Sequence, residues 1–323
     1  MDKYYIAIDI GATKTRVAIG DKNGLINKKV FLTPKTGDSL IIARKIYECI
    51  LSNFSSFIDR VESIGIGTIG PLDIRSGRVV NPTNIDIEIV ELKKPLENWL
   101  KKPVYVLNDA AAGVLGEKMF GLGKDYSNIV YITMSTGVGG GIIVDDHLLI
   151  GKLGNAHEIG HIVVDYDSDI PCGCGGYGHW EAFAGGANIP RLAMILARNN
   201  PDMIKTKCYE ESLKGELTPP KLFKYYREND IFAKYVVEKI IKASGAGLAS
   251  VINSYDPELV TLGGSVYLNN IDILKEPMVR YALKNIITEP PMIETTPLGE
   301  DIVLYGALAL AINPPEELIR IQK

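Results

Sequence analysis

Residues 4–20 read YYIAIDIGATKTRVAIG, and residues 128–146 read NIVYITMSTGVGGGIIVDD. Each stretch is an apolar, β-branched run, a short polar turn rich in glycine, then a second apolar run. That is the pattern of strand, tight turn, strand. The two turns, DIGATKT (9–15) and STGVGGG (135–141), occupy matching places in the two halves of the chain. Around them apolar runs alternate with helix-like stretches from end to end, which predicts an α/β fold. The recurrence predicts two related α/β domains, with a boundary near Asn108–Gly121.

Working outward, GLINKKVFL (24–32) predicts a third strand, and Ser39 is expected to cap an amphipathic helix over SLIIARKIYECILSNF (39–54). SIGIGTIGPLD (63–73) reads as a strand ending in a glycine turn. KPVYVLNDAAAGVLGEKMFG (102–121) reads as a strand running into a helix. Later helices are expected over 181–198, 219–229 and 231–254, a short strand at LVTLGG (259–264), and a closing helix over IVLYGALALAI (302–312). No Gly/Ser- or Pro-rich linker interrupts the chain, so the domains are expected to pack around a hinge.

The chain has 323 residues, room for two domains of roughly 100–200 residues each. A net charge of −4 gives no sign of a nucleic-acid or anionic-membrane partner, and none is expected. No apolar run approaches the roughly 20 residues of a membrane-spanning helix. MDKYYIAIDIG enters a strand directly, so no signal peptide is expected and the cytoplasm is the expected location. Four cysteines in a chain this long make no disulfide framework. Gln322 is the single glutamine, and scarcity of labile amides beside abundant Lys and Glu points towards a thermophile.

Phosphate groups bind where backbone N–H groups converge beside small hydroxyls. DIGATKT offers Gly11, Thr13, Thr15 and the cation Lys14, with Asp9 able to hold Mg²⁺ through water. STGVGGG offers Ser135, Thr136, Gly137 and Gly139. Either turn alone is also read as a plain hairpin; two in equivalent places point to a nucleotide. A G-x-G-x-x-G run at Gly65–Gly70 does not open a helix, as a dinucleotide fingerprint must. Pro71, Leu72 and Asp73 lead into a polar turn instead.

HEIGH (157–161) matches H-E-x-x-H, but that zinc-protease motif needs both histidines on one regular helix. Gly154 and Gly160 weaken any helix, and the following IVVD favours a strand. His161, Cys172, Cys174 and His179 supply two sulfurs and two nitrogens, the donor set of a closed structural zinc site; the alternative is reduced thiols in a loop. Cys49 and Cys208 read as plain buried thiols. Asn108–Asp109 lies at the carboxyl end of a strand, where α/β sheets place ligand chemistry, though Asp109 also suits a helix N-cap. Glu158 and Glu181 flank the cysteine segment.

Together these motifs resemble the ROK family of sugar kinases, within the sugar kinase, actin and Hsp70 ATPase fold, over essentially the whole chain. DIGATKT and STGVGGG are similar to its two phosphate loops. LVTLGGSV (259–266) is similar to its adenosine-side segment, with Gly263 and Gly264 against the nucleotide. The resemblance implies two related ribonuclease-H-like (actin-like ATPase) domains with an interdomain cleft. The first would span 1–108, with a C-terminal helix of about 302–323 packing back on it, and the second 109–301 with the zinc knuckle. It implies an ATP- and Mg²⁺-dependent hexokinase acting on the 6-hydroxyl of glucose and related hexoses, with Asp109 as general base. Gly70, Asn84, Asn108, Asp109, Glu158, His161 and Glu181 would bind the sugar. Asp9, Gly11, Ala12, Thr13, Lys14, Thr136, Gly137, Gly139, Gly263 and Gly264 would bind the nucleotide. His161 would turn one ring nitrogen to zinc and the other to a sugar hydroxyl. An N-acetylhexosamine kinase or fructokinase is the alternative, and a sugar-sensing repressor a more distant one. The family also implies a homodimer by analogy. Three positions depart from the family pattern: His179 replaces a cysteine, His157 a glycine before the Glu, and Ala12 the second glycine of the first loop.

Overall fold

Alternation within β1 (Tyr4–Ile10) sends Ile6, Ile8 and Ile10 into one buried cluster and Ala7 into another, so the two faces of the first sheet are distinct from its first strand. The computed structural model describes residues 3–82 and 85–323. β1 pairs antiparallel with β2 (Lys14–Asp21), and β2 with β3 (Gly24–Leu32). Helix α1 (Ile41–Phe54) joins the isoleucine cluster through Ile42, Ile46, Ile50 and Phe54, spaced to share one helical face. Ser39 does not cap α1. Leu40 takes the cap position and the Asp38 carboxylate accepts its N–H at 3.0 Å, because an Asx turn satisfies that donor first.

β4 (Val61–Thr68) runs parallel to β1. A small antiparallel sheet of β5 (Leu72–Asp73), β6 (Arg78–Val80) and β7 (Ile89–Glu91) follows, then α2 (Lys93–Leu100). β8 (Val104–Asn108) pairs parallel with β4 and runs into α3 (Asp109–Phe120). The first sheet therefore has the order β3-β2-β1-β4-β8. The second is built from β9 (Ile129–Met134), β10 (Val138–Val144), β11 (His147–Leu148), β12 (Leu259–Gly263) and β13 (Met292–Thr295), in the order β11-β10-β9-β12-β13. The orders correspond strand for strand: a meander on one side, then two later strands on the other. Two sheet-plus-helix domains of one topology, the actin-like ATPase architecture, are the result.

The helix expected over 181–198 is two helices, α4 (Trp180–Ala184) and α5 (Ile189–Asn199), because Gly185 and Gly186 interrupt it. α6 (Lys207–Lys214) was not expected; α7 (Pro219–Arg227) and α8 (Ile231–Tyr255) were. α9 (Ser265–Leu268) and α10 (Ile271–Leu283), with Pro277 inside it, also escaped the sequence pattern. The C-terminal run is α11 (Ile302–Ile312) and α12 (Glu316–Ile321), separated at Asn313–Pro315, where two prolines lack donors.

The chain forms two compact units: one comprises the chain up to Tyr131 with Gly141–His157 and Thr296–Lys323, the other Ile132–Gly140 and Glu158–Thr295. Within the first, α11 packs on β1, β4 and α3. Small residues make this close approach possible: Ala7, Ala18 and Ala307 share one buried cluster with Leu304 and Leu308. A Cβ at Gly65 would collide with the Ala307 carbonyl, and one at Gly306 with the Ala112 carbonyl. The G-x-G at 65–67 is thus the seat of a helix rather than a ligand loop. Ser63 Oγ completes it by donating to the Ala311 carbonyl at 2.6 Å. Among the described residues no helix is long and apolar enough to cross a membrane.

Candidate functional site

Parallel register brings three strand ends side by side: Ile10 is opposite Thr68, and Thr68 opposite Asn108. The residues that follow them in sequence therefore share the carboxyl edge of the first sheet, where α/β folds place ligands. After β1 comes the turn Gly11–Thr13, closed by Gly11 N–H donating to the Lys14 carbonyl at 3.0 Å. Thr33 braces it from β3's end, its hydroxyl donating to the Gly11 carbonyl at 2.8 Å and its N–H to the Thr13 carbonyl at 3.0 Å. Ala12 lies in the turn, and Lys14 opens β2 with its side chain exposed. After β4 comes Gly70, whose missing Cβ would stand 3.9 Å from Asn108 Nδ2. Asn84 lies outside the described residues.

At the end of β8 the cap of α3 is Asn108, not Asp109. Asn108 Oδ1 accepts the Ala110 N–H at 2.9 Å. Asp109 occupies the first helical position, its Oδ1 2.7 Å from the same nitrogen. A carboxylate there sits at the positive end of the helix dipole.

Asp9 was read as a route to Mg²⁺ through water; the structure gives it a cationic partner that the sequence reading missed. Asp9 and Arg16 are cross-strand neighbours on β1 and β2, and Arg16 Nη1 donates to Asp9 Oδ2 at 2.6 Å. Burial pushes the Asp9 carboxyl above the usual carboxylate range, and the guanidinium partly offsets this. An acid whose folded pKa lies above its unfolded value, 3.8, holds its proton more tightly in the folded state, so stability falls as pH rises through that interval. Removing the guanidinium raises the folded value further. Arg16→Ala is therefore expected to cost roughly 3 kcal/mol at neutral pH and less on acidification, with Asp9→Asn restoring most of the loss. Urea midpoints at pH 5 and pH 8 check this; a pH-independent loss would show that packing, not charge, is at stake.

In the second unit only Ser135–Gly137 forms the turn between β9 and β10, with Ser135 N–H donating to the Gly137 carbonyl at 2.9 Å. Gly139 belongs to β10, so the glycine run is shorter as a loop than its sequence suggests. Ser135 and Thr136 line a cavity of about 540 Å³, the size of a small-ligand site. Its other walls are Gly186 and Ala187, the start of α7 at Pro219, Pro220 and Phe223, and the α9 side at Ser265, Val266, Asn269 and Asn270. Gly263 ends β12. Gly264, at φ +87° and pressed on the Met134 backbone, turns the chain into α9 without lining the cavity itself. Arg227 closes one side, held by two bonds to the Asp272 carboxylate at 2.8 and 3.2 Å and one to Asn270 Oδ1 at 3.2 Å. Four separate segments build this wall, so no local pattern marked it beyond the helix-start signal at Thr218–Pro219–Pro220.

HEIGH forms no helix suited to a zinc protease. His157 is buried, and Glu158 precedes a single 3-10 turn, Ile159–His161. The strand expected over IVVD reduces to one bridge, Val163 with His179. His161, Cys172, Cys174 and His179 do converge, each offering one ligand atom within 4.8 Å of all the others. Cys172 Sγ lies 3.8 Å from His161 Nδ1, and Cys174 Sγ 3.2 Å from His179 Nδ1. Zn–S and Zn–N bonds of about 2.3 and 2.0 Å require donors in that range, so the set fits zinc. Gly176 leaves room for the substituted histidine: a Cβ there would strike the His179 ring. His161 Nε2 points elsewhere, 3.7 Å from Glu158 Oε2. Glu181 Oε2 accepts the Val138 N–H at 3.0 Å. All four cysteines are free, and burial pushes the Cys208 thiol up to about 12, an inert value at neutral pH.

Against known proteins, residues 5–313 match the ROK family. The glucokinase of Pyrobaculum calidifontis is 38% identical over 315 residues, 97% of each chain. That of Aeropyrum pernix is 40% identical over 321 residues, covering 97% of this chain and 98% of its own. Among solved structures, a ROK family glucokinase from Streptomyces griseus in complex with glucose and AMPPNP superposes with a TM-score of 0.72 at 30% identity, covering 96% of this chain and 99% of that one. With both sheets, both turns and the histidine–cysteine knuckle in place along its length, the chain belongs to the ROK family.

Proposed function

We propose that the protein is an ATP-dependent glucokinase, transferring the γ-phosphoryl group of ATP to the 6-hydroxyl of glucose. The observation that carries the reading is Asp109 at the first position of α3, on the same carboxyl edge of the sheet as the Gly11–Thr13 turn, with the capping duty left to Asn108. The glucokinase relatives support it.

In this reading Asp109 accepts the proton of the 6-hydroxyl as its oxygen attacks the γ-phosphorus. The bond to the bridging oxygen breaks, and ADP leaves with its electron pair. Asn108, Asn84, Glu158, His161 and Glu181 hold ring hydroxyls, carboxylates acting as acceptors for sugar donors, and Gly70 leaves space beside Asn108. Gly11, Ala12 and Thr13, with Thr136, Gly137 and Gly139, meet the phosphates, and Gly263 and Gly264 carry the chain to the adenosine side. Asp9, through water, would hold Mg²⁺ near Lys14, and the ion would supply charge neutralisation on the phosphates. His161, Cys172, Cys174 and His179 would hold a structural zinc ion, which would fix the His161 ring and leave Nε2 for a sugar hydroxyl. Domains of 1–108 and 109–301 with a returning C-terminal helix, homodimer assembly and a cytoplasmic location, in keeping with four free thiols, belong to the same proposal.

ADP release from Mg²⁺-ATP, measured with glucose, mannose, fructose, glucosamine, N-acetylglucosamine and N-acetylmannosamine, tests it. Release that depends on sugar and is greatest with glucose is expected. No stimulation by any sugar overturns the kinase, and a preference for an N-acetylated sugar or fructose overturns the substrate.

A further inference from the structure

We propose that helix α4 couples the metal knuckle to the nucleotide turn, with Glu181 as the positioning residue, so that metal occupancy strengthens nucleotide binding at Ser135–Val138. The inference rests on the reading of that turn as a phosphate loop. α4 is five residues long, too short to hold its own geometry; what fixes its two ends therefore fixes Glu181.

At its start, the residue before α4 is His179, whose Nδ1 faces Cys174 Sγ at 3.2 Å as part of the metal donor set. In its body, Trp180 is fully buried and donates through Nε1 to Ser244 Oγ on α8 at 3.2 Å. Glu181 then reaches the nucleotide turn: Oε2 accepts the Val138 N–H at 3.0 Å and fills the space beside Gly137, where a Cβ would collide with it. Its other oxygen lies 3.9 Å from the metal donor Cys172 Sγ. At the helix end the main chain takes over. Gly186 N–H donates to the Ser135 carbonyl at 2.8 Å, and Ala187 N–H to the Thr136 carbonyl at 3.0 Å. Ser135, Thr136, Gly186 and Ala187 all line the 540 Å³ cavity.

One short helix thus carries a metal donor at one end and three hydrogen bonds to the turn at and beyond its middle. A bound metal pins His179 against His161, Cys172 and Cys174, and the pinned helix holds the turn's carbonyls and the Val138 N–H in one arrangement. Without the metal the His179 side chain loses that anchor and the start of α4 keeps only its main-chain bond, Trp180 N–H to the Ile162 carbonyl at 2.9 Å, and the contacts of Trp180; the turn is then ordered at the expense of nucleotide affinity.

The test is equilibrium binding, with no turnover. Calorimetry with Mg²⁺ and a non-hydrolysable ATP analogue, in the absence of sugar, compares the zinc-loaded chain, the chelator-treated chain, and zinc-loaded Glu181→Ala and Glu181→Gln. The expected result is a Kd about tenfold weaker after chelation and in Glu181→Ala at unchanged zinc content. Glu181→Gln, which keeps an acceptor oxygen, stays near the parent. Coupling is reciprocal, so the analogue should raise zinc affinity, read by competition with a chromogenic chelator, by the same factor. Equal Kd values in the loaded chain and Glu181→Ala, or a zinc affinity indifferent to the analogue, overturn the coupling alone. A zinc-loaded chain that binds no nucleotide overturns the kinase reading and the coupling with it.

Discussion

Replacing Asp109 with asparagine is expected to lower turnover about a hundred- to ten-thousand-fold, the usual share of a general base, while glucose affinity stays within about twofold of the parent. The structure makes this substitution informative because the cap of α3 does not rest on the residue changed. Asn108, not Asp109, caps α3, and an asparagine at 109 still offers an oxygen to the Ala110 N–H. What disappears is the capacity to take a proton from the attacking hydroxyl. Steady-state ADP release and calorimetric glucose binding on one preparation separate the two effects. Near-normal turnover would return Asp109 to the role of an acid in the first turn of a helix. Asn108→Ala is the contrasting change: it removes the cap and should cost about 1 kcal/mol of stability.

The second large effect concerns packing, and its sign is the opposite of the usual rule. Glycine to alanine in a helix interior ordinarily stabilises by about 1 kcal/mol. Gly306 lies within α11, but its absent Cβ would fall on the Ala112 carbonyl of α3, main-chain atoms that cannot rotate away. Gly306→Ala is expected to destabilise by about 2 kcal/mol, and Gly306→Val by more. Because α3 begins at Asp109, turnover should fall with stability even though the site of change is distant in sequence. Thermal unfolding and ADP release report the two consequences; a variant more stable than the parent would contradict the close packing of α11.

Local periodicity explains why the strand–turn–strand segments at 4–20 and 128–146, and the strand–helix junction at Asn108–Asp109, were legible in sequence. Each is set by residues within one or two turns of chain. The failures have physical causes too. α4 and α9 are too short to show a helical period, and Pro277 concealed α10. Ser39 lost the cap to an Asx turn at Asp38. The G-x-G-x-x-G run was rightly set aside as a ligand loop, but that Gly65 and Gly67 serve α11 far along the chain was not legible. Arg16 was overlooked because its partner is fixed by strand register, and the cavity walls at Gly186, Phe223 and Arg227 because they converge only in three dimensions. The histidine–cysteine knuckle, by contrast, lies within 19 residues of sequence, from His161 to His179, and its ligand types announce it.

The seat of α11 has a consequence for how the chain is made. A ribosome releases residues 302–312 only after every strand of both sheets, yet they cover the small-residue face of β1 and β4. During most of synthesis that face has no native cover, and the first sheet can gather only its isoleucine side around α1. A chain cut short before Ile302 would leave the first sheet sticky rather than simply truncated, and that sheet can be completed only once α11 has emerged.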